Sequence, residues 1–111
     1  MLDSPAVTNT RKQAMAEDIR VAAFIPAKPG EEHAVAHALS ACVTETRKEP
    51  GCHEYILHTD VKDPTIFWMI EHWASQSALD THMQAAAFQT LVKALDGKLR
   101  GAPQINVLKA V

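Results

Sequence analysis

The segment TIFWMIEHWASQSALDTH, Thr65 to His82, changes its periodicity part-way along. From Ile66 to Trp73 it alternates as a β-strand. Phe67, Met69, Glu71 and Trp73 share one face, and Ile66, Trp68, Ile70 and His72 share the other. Both faces are largely apolar, so both need cover. Ser75 is then placed to cap a short helix running to about Met83. A strand that passes at once into a helix, with a carboxylate among apolar residues and a histidine shortly after, sets both the fold and the chemical question.

Upstream, GCHEYILHTD reads as a strand, with Cys52, Glu54, Ile56 and His58 on one face and His53, Tyr55 and Leu57 on the other. Residues 60–64 form a hairpin loop to the quoted strand, a register that would keep odd positions opposite odd ones. Earlier still, IRVAAFIPA (19–27) is a strand apolar on both sides, and Pro26 and Pro29 mark its exit. Glu31 and Glu32 suit the positive end of a helix whose apolar stripe is Val35, Ala38, Leu39, Cys42, Val43 and Thr46, ending at Pro50-Gly51. Downstream, a second helical stretch over residues 85–95 presents Phe88, Leu91, Val92 and Leu95, Asp96-Gly97 breaks it, and PQINVLKAV is a fourth strand.

The order is β-α-β-β-α-β with the second helix split, an α+β ferredoxin-like arrangement: an antiparallel sheet with its helices on one face. The apolar opposite face must pack on something, and a second copy of the chain is the simplest partner. Residues 1–18 are polar and irregular and read as a flexible tail or dimer arm, leaving 19–111 as the folded domain.

At 111 residues with 47% hydrophobic content the chain fits one domain with its own core. A net charge of −2 without a basic stripe argues against nucleic acid and anionic membranes as partners. No apolar run reaches membrane-spanning length, and the N-terminus lacks the apolar core of a secretory signal, so a cytoplasmic address is expected. Cys42 and Cys52 are expected as ordinary thiols, because two cysteines make no disulfide framework and no CxxC is present. Nucleotide-binding glycine motifs and a GxSxG elbow are absent. His33 and His37 share one helix face at metal-ligand spacing, but no third ligand follows nearby, and no metal site is expected. His58 and His72 are placed on the face toward a partner sheet.

Glu71 is the residue that needs explaining. A carboxylate among apolar neighbours must find donors, take up a proton or face a wet cavity. His82, one short helix on, is the expected partner, with Tyr55 reaching the same place from the neighbouring strand. Trp73 and Phe88 read first as core residues. A pair that merely pins the helix-to-strand connection is the plainer reading of Glu71 and His82; a pocket built by Tyr55, Glu71, Trp73 and His82 is the functional one. The most useful single observation is whether a cavity of roughly 300 Å³ or more opens onto Glu71 and Trp73.

Taken in order, Arg47, Glu49-Pro50-Gly51-Cys52, Tyr55, Asp63-Pro64, Phe67, Glu71 with Trp73, Ala78-Leu79, His82 and Phe88, with Pro29-Gly30 before them and Pro103 after, resemble the antibiotic biosynthesis monooxygenase family across residues 19–111. The resemblance implies a dimeric α+β barrel made when two such sheets pack face to face. It also implies oxidation of a small quinol or phenol by dioxygen without metal or flavin. Glu71 and His82 would be catalytic, with Tyr55, Met69, Trp73, Leu79, Phe88 and Val92 around the substrate. Met69 stands where one branch has asparagine, Ala87 where many members have histidine, and Val92 near where haem-degrading relatives place their iron ligand, which argues against haem degradation here. A non-enzymatic small-molecule binder, a stress-related dimeric module, and an isomerase or lyase are the alternatives that the same fold permits.

Overall fold

A computed structural model describes residues 18–111, so the expected tail or arm, apart from Asp18, lies outside the described residues. The elements are β1 (Ile19–Pro26), α1 (Glu32–Thr46), β2 (Cys52–Thr59), β3 (Ile66–Trp73), α2 (Gln76–Gln84), α3 (Ala86–Leu95) and β4 (Gln104–Leu108). The strands form one antiparallel sheet in the order β2-β3-β1-β4. This is the ferredoxin-like α+β arrangement expected from the element order. None of the described helices is long and apolar enough to cross a membrane.

Register fixes which side chains meet. Val21, Ala23 and Ile25 lie opposite Glu71, Met69 and Phe67, while Tyr55 and Leu57 lie opposite Glu71 and Met69 from the other side. These residues make the sheet face that the helices cover. Val35, Leu39 and Cys42 of α1, Leu79 and His82 of α2, and Leu91 and Leu95 of α3 are buried above it. Full burial of a large apolar side chain contributes about 1.5–3 kcal/mol, so Trp73, Leu39 and Met69, all fully buried, anchor this layer.

Strict alternation fails at one place, the entry to β2. Cys52 lies opposite Trp73, yet Glu54 lies opposite the adjacent His72, so His53 is the extra residue of a β-bulge. The expected faces are thereby corrected. Cys52 stands opposite buried Trp73, and the His53 ring packs edge-on against His72, 4.8 Å between centroids. The physical cause lies just upstream. Gly51 has φ +82°, and a Cβ on it would come within 2.8 Å of Ala78 Cβ. The chain turns tightly under α2, and the bulge absorbs the resulting mismatch.

Two smaller devices hold the ends. Ser75 Oγ accepts a hydrogen bond from the Ala78 amide at 3.1 Å and caps α2 as its sequence position suggests. In the hairpin loop, Asp60 accepts from the Lys62 and Asp63 amides and from Trp68 Nε1. Among the described residues nothing covers the sheet face away from the helices: Ile56 and Ile70 are exposed, Phe24 and Trp68 pack edge-to-face and stay half-buried, and β4 is exposed along its length.

Candidate functional site

Glu71 projects from β3 into the layer between sheet and helices and is only 6% exposed. Trp73 Nε1 donates to its Oε1 at 2.8 Å, and no other hydrogen bond to the carboxylate is formed among the described residues. Burial pushes its carboxyl up to about 7 from an ordinary 4.5, and the indole N–H holds it back only in part. Near neutral pH this group is therefore divided between acid and base, a state suited to moving a proton.

The expected Glu71–His82 pair is not formed. His82 Nδ1 lies 2.9 Å from Glu49 Oε1, in the turn that follows α1. The reason is the indole of Trp73, which engages both groups. Its N–H reaches Glu71, while its ring lies against the His82 imidazole at 4.7 Å and 32°. The edges of Tyr55 and Phe88 close the imidazole in, each at 5.3 Å. Burial holds the His82 pKa below its usual value, with Glu49 pulling the other way. A neutral imidazole facing a carboxylate puts its proton on Nδ1, which leaves Nε2 as the basic nitrogen. Glu49 is thus a site residue that sequence reasoning did not assign a role. The only trace of it was its place ahead of Pro50-Gly51, which says nothing of where the side chain points.

Tyr55, opposite Glu71, turns its hydroxyl toward Cys42 Sγ at 3.7 Å instead of bonding the carboxylate, and Cys42 Sγ lies 3.4 Å from Thr46 Oγ1. Burial and the neighbouring Glu71 push the phenol well above its ordinary pKa, so it remains a donor. Burial likewise raises the Cys52 thiol.

Glu71 borders a cavity of about 70 Å³ whose wall includes Tyr55, Met69 and Phe88 and, at the protein surface, exposed Val92 and Ile105. The carboxylate, Tyr55, Met69, Phe88 and Val92 are thus brought together, as the sequence pattern suggested. Trp73, Leu79 and His82 are buried outside that wall. The cavity is also far below the roughly 300 Å³ of an ordinary small-molecule site. The larger hollows lie on the helical layer. A groove of about 570 Å³ between α1 and α3 is lined mainly by alanines, and a hollow of about 360 Å³ lies beside α2; Glu49 borders both. His33 and His37 are exposed on α1.

Residues 18–94 match the antibiotic biosynthesis monooxygenase family. The chain belongs to the antibiotic biosynthesis monooxygenase family. Solved structures agree with that family assignment. A structure described as an antibiotic biosynthesis monooxygenase is 33% identical, with a TM-score of 0.79 over 84% of this chain and 98% of its own. A protein of Pseudomonas aeruginosa is 32% identical, with a TM-score of 0.81 over 87% of this chain and 97% of its own. A conserved protein of Methanosarcina mazei Go1 is 28% identical, with a TM-score of 0.82 over 89% and 97%. None of the curated proteins matches this chain. Within the family frame, the matched region runs from just before β1 to α3 and contains Glu49, Tyr55, Glu71, Trp73 and His82.

Proposed function

We propose that this chain is a monooxygenase that oxidises a small electron-rich phenol or hydroquinone with dioxygen at the Glu71 cavity. The observation that carries the reading is one buried carboxyl, poised near neutral pH, on the wall of an otherwise apolar chamber. A phenol bound there loses its proton to the Glu71 carboxylate, and the phenolate, with little water to stabilise it, gives an electron to dioxygen. Recombination of the two radicals forms a carbon–oxygen bond. Cleavage of the O–O bond then releases water, so a hydroquinone plus dioxygen leaves as a hydroxyquinone plus water. Trp73 holds Glu71 Oε1 in place, and the Glu49–His82 pair fixes the far side of the indole as a positioning element. Phe88 and Met69 supply the apolar contact for the ring.

Substrate entry requires movement. A cavity near 150 Å³ accommodates benzene, about twice the space beside Glu71. Phe88 and Val92 stand on α3, and Val92 is exposed, so an outward shift of α3 is the shortest way to enlarge the chamber. The open sheet face fits a homodimer built by face-to-face packing.

Oxygen uptake over a panel of hydroquinones tests the reading. Uptake should occur with at least one of them and fall about 10²-fold or more in Glu71→Gln, the contribution expected of a positioned general base. Uptake at buffer level with every compound, or full uptake in Glu71→Gln, rejects it. The small volume of the cavity favours a second reading, a binding module without chemistry, for which the same compounds would bind and no oxygen would be consumed. Turnover that persists without oxygen would instead mark an isomerase or lyase.

A further inference from the structure

We propose that Asp18, His53 and His72 form a binding site for a divalent transition metal ion of the zinc class, on the sheet face opposite the helices. One potential ligand atom from each lies within 4.8 Å of the other two, and Asp18 Oδ2 is 2.7 Å from His72 Nε2. With zinc–ligand bonds of about 2.0–2.1 Å, the ligand atoms of a tetrahedral site stand roughly 3.3 Å apart. The observed spacings bracket that value: on taking up an ion Asp18 and His72 would part by about 0.6 Å and the exposed His53 ring would turn toward them.

Three separate backbone segments contribute, and each is fixed by something other than the ligands. Asp18 immediately precedes β1, beside the Arg20–His72 register pair. His72 is the penultimate residue of β3, paired with Arg20 of β1 on one side and Glu54 of β2 on the other. His53 reaches this face only because of the bulge at the start of β2; regular alternation would turn it toward the helices with Tyr55. Bulges commonly re-aim a side chain at a functional position, and this one brings a second imidazole beside His72.

The donor chemistry suits the ion. Two neutral imidazoles and one carboxylate form a nitrogen-rich set that favours zinc and its neighbours over calcium or magnesium. The surrounding charges are mixed. Glu54 lies opposite His72 on the same face and adds negative potential, while Arg20 lies opposite His72 on the other side and opposes it. A fourth ligand, water or a side chain of a second copy packed on this face, would complete the coordination. The site does not share the Glu71 cavity, because adjacent residues of β3 point to opposite faces. An ordinary Asp18–His72 ion pair accounts for those two side chains and the Gly51 turn for the bulge; what makes the set a site is that the bulge places a second imidazole within reach of both.

Calorimetric titration of the untagged, chelator-treated full chain with zinc chloride tests the site. Saturable binding of one ion per chain is expected, with Kd on the order of 10⁻⁶ M or tighter. Asp18→Asn, His53→Ala and His72→Ala should each weaken it by at least about 10-fold, while a His33→Ala/His37→Ala double variant should bind as the parent does. His53 lies at a bulge and is exposed, so its variant reports on binding even if His72→Ala folds poorly. Zinc should also raise the melting temperature of the parent and not that of His53→Ala. The proposal is overturned by no saturable binding in this range, or by binding that survives His53→Ala and disappears with His33 and His37.

Discussion

Glu71 and His82 show how burial, more than charge pairing, sets the chemistry of single residues in this protein. Glu71 ionises at an ordinary 4.5 when exposed and at about 7 when folded, a difference of roughly 3 kcal/mol in favour of the acid form. The folded chain therefore holds more protons than the unfolded chain between those two values. Stability falls as pH rises through that interval, and the full penalty is present above 7. Glu71→Gln removes the penalty while keeping an acceptor for Trp73 Nε1. Urea melts at pH 8 should show this variant more stable than the parent by about 2–3 kcal/mol, with the difference vanishing near pH 4. An equal or lower stability at pH 8 would mean the carboxylate is not desolvated as described. His82 acts at the other end: its depressed pKa takes stability away as pH drops below its ordinary 6.5, because the unfolded imidazole takes up a proton more readily. The sequence shows that Glu71 needs an explanation, since a carboxylate alternating with Met69 and Trp73 is visible by inspection. It does not show the partner. Sequence proximity points to His82, whereas the nearest donor is the Trp73 indole two positions away.

At the scale of elements, the turn between α1 and β2 controls the site. Gly51 adopts a left-handed backbone where α2 passes closest, and this brings Glu49 to His82 and turns β2 through its bulge. Gly51→Ala meets both the positive φ and the Ala78 contact, so chemical denaturation should show a loss of about 1–3 kcal/mol. Because Glu49 lies two residues away, the same variant should disturb the His82 ring, observable as a shifted imidazole resonance. An unchanged midpoint would show that the turn relaxes freely. The strands and helices themselves could be read from periodicity, most boundaries falling within a residue or two, although α1 stops at Thr46, short of Pro50-Gly51, and β4 at Leu108, three residues short of the expected end. The bulge could not. CHEYILHT alternates plausibly throughout, and only the pairing with β3 shows that one residue is surplus.

At the scale of the whole fold, the outstanding feature is a sheet face that none of the described elements covers. Ile70, in the middle of β3, is exposed there. Ile70→Glu should change the stability of an isolated chain by no more than about 0.5 kcal/mol, the usual range for a surface position. If two copies pack by this face, the same change buries two charges and shifts the chain to monomer in sedimentation velocity. A parent that sediments as a monomer at high concentration would exclude that packing.

The amino-acid sequence alone determined the element order, the two-sided apolar strands, the family pattern and the position of a carboxylate in an apolar strand. These depend on local periodicity and residue type, which neighbouring residues along the chain carry. The tertiary structure decided which groups meet: Glu71 with Trp73, His82 with Glu49, and His53 with His72. It also decided how little space remains beside Glu71. Those outcomes depend on strand register, on one bulge and on the close passage of α2 over Gly51, and apart from the Glu71–Trp73 contact they join residues far apart in sequence through packing that no local pattern encodes.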